Sequence, residues 1–71
     1  LTPRQREILG LIGDGKSTQE MSDLLDLSPR TVEFHRAGIR KALGITNEVG
    51  LLRAAVLMKV GRIAEETDEA K

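Results

Sequence analysis

The stretch STQEMSDLLDLSPRTVEFHRAGIRKAL, residues 17–43, contains two helix starts with very little chain between them. Ser17 followed by Glu20 is a capping box: the hydroxyl accepts from a free N–H of the first turn, and the carboxylate reaches back to the cap. Met21, Leu24 and Leu25 are expected to form the apolar face of this helix. The second start is Ser28 as N-cap, with Pro29 at the first helical position, where a missing N–H costs nothing. The first of the pair stops near Asp26, and apolar Leu27 is expected to plug the corner. A short helix, a tight turn and a longer helix describe a helix-turn-helix, although plain helical bundles also use short turns.

The longer helix poses the sharper question, because it holds the single aromatic residue of the chain, Phe34, and the single histidine, His35. At 100° per residue, Val32, Ile39 and Leu43 share one face, the expected buried stripe. Phe34 falls on the opposite face beside Arg30, Ala37 and Lys41, with Glu33 and Arg40 at the flanks. Burying a phenylalanine fully is worth roughly 1.5–3 kcal/mol. A small domain that places its ring outside is using it for something else. Either the ring covers a neighbouring apolar patch or a dimer contact, or the helix presents a surface to a ligand. In a helix-turn-helix the second helix lies in the major groove with its N-terminal residues on base edges. Arg30 would then meet a phosphate or a guanine edge, Glu33 a cytosine amino group, and Phe34 and Ala37 thymine methyls. Arg40 and Lys41 would meet phosphates. Glu33 also has a partner on its own helix, Arg36 at i+3. His35 borders the buried stripe, which favours a packed, structural ring over a phosphate ligand.

Outward from this pair, Thr2, Pro3 and Gln5 open a first helix that carries Ile8, Leu9 and Ile12 and ends at Gly13–Asp14–Gly15. Gly44 stops the long helix, and Thr46 or Asn47 caps a fourth that is expected to run to about Gly61. Between Val49 and Val60 only Gly50, Arg53 and Lys59 interrupt its apolar residues. A surface helix needs one apolar stripe, so a helix apolar on most faces has either a central place or a second contact. The second contact would be another copy, through Leu51, Leu52, Val56, Met58 and Lys59, with Ile63 a further candidate. The reading is one all-α, four-helix domain over residues 1–61, followed by an acidic tail over 62–71 that is expected to fray.

Composition narrows the function. With 71 residues and one aromatic, the core must be aliphatic, which suits packed helices. The absence of cysteine leaves no disulfide or thiolate site, and one histidine builds no His-rich metal site. No cofactor is expected. No paired-carboxylate site, Gly-rich phosphate loop or His with a nucleophile is visible, so an enzyme is not expected. No apolar run spans a bilayer and no signal peptide is apparent, so the expected location is the cytoplasm, away from membranes. The chain opens on Leu1 and reads as a piece of a longer polypeptide. Its net charge is zero, but residues 30–41 hold four basic side chains against Glu33. Such a stripe suits an anionic partner or a plain solvated face.

The segments LTPRQREIL (1–9), GKSTQEMSDLLDLSPRTVEFHR (15–36) and RKALGI (40–45), in this order and spacing, resemble the DNA-binding output domain of LuxR/NarL-type (GerE-like) bacterial transcription regulators. The resemblance covers residues 1–61. It implies a four-helix fold with the third helix as recognition helix and the fourth as dimerisation helix. It also implies double-stranded DNA as partner, a homodimer on an inverted repeat, an N-terminal sensing domain outside this chain, and RNA polymerase as a further contact. Base-reading positions of the family fall on Glu33, Phe34 and Ala37, and backbone-contacting ones on Ser17, Thr18, Arg30, Thr31, Arg36 and Lys41. Several members carry Lys at the first and last base-reading positions, where this chain has Glu and Ala, so their base preference does not transfer. TVE, an apolar residue and HR (31–36) look most like members joined to two-component receiver domains. Two other readings remain: a protein-interaction module working through the fourth helix, and a sigma-factor-like promoter-recognition domain, whose recognition helix TVEFHR fits less well.

Overall fold

The computed structural model describes the backbone of residues 1–69 and the side chains of residues 1–61. It contains four helices: α1 (Pro3–Gly13), α2 (Thr18–Leu25), α3 (Pro29–Leu43) and α4 (Glu48–Glu69). Each starts where a side chain serves the free amides of the first turn. Thr2 Oγ1 accepts from Gln5 N at 3.1 Å and Gln5 Oε1 from Thr2 N at 2.9 Å. Ser17 and Glu20 form the same reciprocal pair ahead of α2. Ser28 Oγ accepts from Thr31 N at 3.1 Å. For α4 the cap is Asn47 rather than Thr46: its Oδ1 accepts from Gly50 N at 2.7 Å.

The core is aliphatic. Ile8, Leu9 and Ile12 of α1 meet Met21 of α2, Val32 and Ile39 of α3, and Leu51 and Ala55 of α4. α1 is the hub, packing on both α3 and α4, while α2 packs on α3. Leu27 fills the turn between α2 and α3 as expected, and Leu11, Leu25, Ile45 and Met58 close the edges. That turn is stapled: Leu27 N–H donates to Ser22 O, and the Ser22 hydroxyl donates to Leu27 O. Asp26 takes the left-handed conformation there, with φ 54°, which Asp adopts more readily than most residues.

Four expectations need correction. Leu24 is exposed, because the buried sector of α2 runs through Met21, Leu25 and the turn-stapling Ser22. Leu43 is also exposed. The chain reverses at Gly44, with φ 68°, and Ile45 fills the space beside the core instead. Leu51 is fully buried, so it belongs to the core and not to an interface. Finally, α4 continues through Gly61 to Glu69: a glycine weakens a helix but ends it only when the backbone turns left-handed. Ile63 and the other side chains of the expected tail, 62–71, lie outside the described residues.

Candidate nucleic-acid interface

The packing of α3 against α1 and α2 turns its other side outward. Val32 and Ile39 anchor it inward, so the residues half a turn away face solvent. Phe34 is 74% exposed, and Arg30, Glu33, Ala37 and Lys41 share the open side. No ion pair among the described residues uses Arg30 or Lys41. The Phe34 ring meets the half-buried His35 ring edge-on, with centroids 5.8 Å apart, an arrangement worth up to about 1.5 kcal/mol in aromatic pairs. The wheel reading therefore holds for the aromatic residue: the ring is held by one neighbour and otherwise presented outward.

The remaining basic residues of α3 point elsewhere. The Arg36 side chain is only 13% exposed and pairs with Glu48, the first residue of α4. Arg40 Nη1 lies 2.6 Å from the other Glu48 oxygen. Glu48 thus receives both guanidinium groups, and the stripe seen in the sequence divides. Arg30 and Lys41 carry open positive charge, while Arg36 and Arg40 fasten α3 to α4. Glu48 was missed in the sequence. The local signal, an acidic residue in the first turn of a helix, reads as a dipole partner, and only the fold brings the arginines to it.

The hydroxyls expected near phosphates are likewise already engaged. Ser17 serves as the cap of α2, and Thr31 Oγ1 lies 2.9 Å from Ser28 Oγ. Thr18 Oγ1 donates to Glu33 Oε1 at 2.7 Å, linking the start of α2 to the open side of α3. The Glu33 carboxylate also lies 3.7 Å from Arg36 Nε, a buried nitrogen with no hydrogen bond of its own.

On α4 the face turned from the core carries Val49, Leu52, Val56 and Val60, with Leu57 beside it, all exposed. Leu52 and Val56 were expected there; Val49, Leu57 and Val60 were not. Met58 leans on the core, and Lys59 pairs with Asp14 at the end of α1. That pair holds the Asp14 carboxyl below its ordinary value, through the hydrogen bond from Lys59 and its charge. No group of His, Cys, Asp or Glu among the described residues could hold a metal ion, and no helix among them is long and apolar enough to cross a membrane.

Residues 1–55 match the family described as bacterial regulatory proteins, luxR family. The chain is 46% identical over 65 residues to the transcriptional regulatory protein MctR of Rhizobium johnstonii, covering 86% of this chain and 30% of that protein. It is 45% identical over 60 residues to the uncharacterized response regulatory protein YgeK of Escherichia coli, covering 84% and 41%. Against the transcriptional activator protein LuxR of Aliivibrio fischeri it is 39% identical over 57 residues, covering 80% and 23%. The chain thus spans well under half the length of these curated relatives. All three are named for a role in regulation.

Proposed function

The chain belongs to the luxR family of bacterial regulatory proteins, a family of helix-turn-helix DNA-binding transcription regulators, and on that premise we propose how it engages DNA. α3 enters the major groove of double-stranded DNA with Arg30, Glu33, Phe34 and Ala37 toward base edges. The observation that carries this reading is Phe34, the single aromatic side chain, exposed on the open face between Arg30 and Lys41. Lys41 meets backbone phosphate, and the starts of α2 and α3, at Ser17, Thr18 and Thr31, lie against the strand, where helix N-termini favour phosphate.

The exposed face of α4 supports pairing of two copies. Contiguous apolar surface of this kind marks an interaction site. Pairing through Val49, Leu52, Val56 and Val60 places two α3 helices on two half-sites about one helical turn apart, in an inverted repeat. Because the relatives are longer and include a response regulatory protein, the domain is read as the output part of a larger cytoplasmic regulator that acts on RNA polymerase.

Selection of random duplexes by the chain, at low and then at higher salt, tests the proposal. Enrichment of an inverted repeat is expected. Weak binding that salt abolishes and that enriches no sequence would reduce the interaction to phosphate attraction. A module working only through α4 would bind no duplex at all.

A further inference from the structure

We infer that Glu33 is the specificity-determining residue of this surface, an acceptor held ready for the exocyclic amino group of a cytosine, with Thr18 and Arg36 as its positioning residues; the assignment rests on the groove-binding reading above. A carboxylate on a DNA-facing helix is repelled by phosphates, so its presence needs a physical reason. The structure supplies one. Glu33 Oε1 is tied to Thr18 Oγ1 at 2.7 Å, at the first position of α2, where the helix dipole favours negative charge. The Arg36 guanidinium stands 3.7 Å from the same oxygen and offsets its charge. Arg36 is itself fixed by Glu48. Glu33 therefore does not swing freely, although its side chain is 53% exposed. Among the described residues its second oxygen, Oε2, has no partner, and Glu33 as a residue is exposed on α3, as Phe34 and Ala37 are.

An acceptor fixed in this way needs a donor on the DNA. In the major groove guanine presents only acceptors, and thymine an acceptor and a methyl group. Adenine offers an amino group, but its N7 acceptor lies alongside and repels a carboxylate. Cytosine offers the N4 amino group with no acceptor beside it on the same base. A carboxylate therefore selects cytosine, and holding it in one orientation narrows the choice to a single position of the half-site.

The test is the random-duplex selection repeated with Glu33→Ala, Glu33→Gln and Thr18→Val, each checked for an unchanged circular-dichroism melt. The unsubstituted chain is expected to prefer cytosine at one half-site position by about tenfold, in keeping with a good base contact. Glu33→Ala removes that preference while leaving the others, and raises affinity for non-specific DNA by removing a negative charge. Glu33→Gln moves the preference at the same position to adenine, since an amide can both accept from N6 and donate to N7. Thr18→Val loosens the preference at that position alone, which a merely structural role for Thr18 would not do. A half-site that both Glu33 variants leave unaltered overturns the role of Glu33. A chain that enriches no sequence overturns the groove-binding reading itself.

Discussion

Gly13, the last residue of α1, faces Ala55 of α4 so closely that a Cβ on it would lie 3.0 Å from the Ala55 carbonyl oxygen. Backbone is the obstacle, so no side-chain rotation relieves the crowding. Gly13→Ala is expected to lower stability by about 1–2 kcal/mol, as overpacking does. Gly10→Ala, in the same helix with nothing within 4 Å of the new methyl, is expected to gain about 0.5–1 kcal/mol from helix propensity. Urea midpoints of the two variants check the pair; equal shifts would contradict the close approach of α1 and α4.

Met21 and Phe34 are both large and apolar, yet one is fully buried and the other exposed. Met21→Ala is expected to cost about 2–5 kcal/mol, a large share of the stability of a domain this small. Phe34→Ala is expected to change stability by less than about 1 kcal/mol while weakening sequence-specific DNA binding. Denaturation and duplex titration on the same samples separate the two effects.

Glu48→Ala leaves the largely buried Arg36 without its main counter-charge. The pair lies between a surface ion pair, worth under about 1 kcal/mol, and a buried one, whose breakage costs about 3–5. A loss of about 1–2 kcal/mol is expected. The same substitution frees Arg40, so non-specific duplex binding becomes tighter and more salt-dependent. The slope of log affinity against log salt should steepen by about 0.9 for each cation that reaches a phosphate. An unchanged slope would mean that neither arginine can turn toward DNA.

Asp14 and Glu20 both titrate below their ordinary values of 3.8 and 4.5. The causes are the Lys59 bond at Asp14 and the Ser17 bonds at Glu20. A carboxyl depressed in the folded chain contributes its stability in full above its unfolded value, and loses it as pH falls through the folded one. The domain should therefore weaken on acidification below about pH 4–5, and Asp14→Asn should reduce that acid sensitivity. Thermal midpoints between pH 7 and pH 3 provide the comparison.

What the sequence reveals and what it hides have physical causes. Caps are local chemistry, so Thr2, Ser17, Ser28 and Gly44 are legible within a few residues of chain. Phe34 is legible because one long helix with a clear buried stripe has a clear opposite side. Leu24 and Leu43 mislead because hydrophobic spacing marks which face is apolar and not how far a neighbouring helix extends over it. On α4 the pattern fails outright: a helix apolar nearly all round does not say that Leu51 turns inward and Val49 outward. The destination of Arg36 and Arg40 is equally hidden, since their partner, Glu48, lies across the turn that follows α3. Periodicity shows where charges sit on one helix, and only the fold shows what meets them.

Glu48 stands at the foot of α4 and grips two arginines on the back of α3, so the two helices are tied to each other at that corner of the domain. In an assembly joined through α4, that tie would act as a set-square. Under the pairing proposed above, the distance between two α3 helices would follow from how the chain folds, and the spacing of the half-sites would have to conform to it.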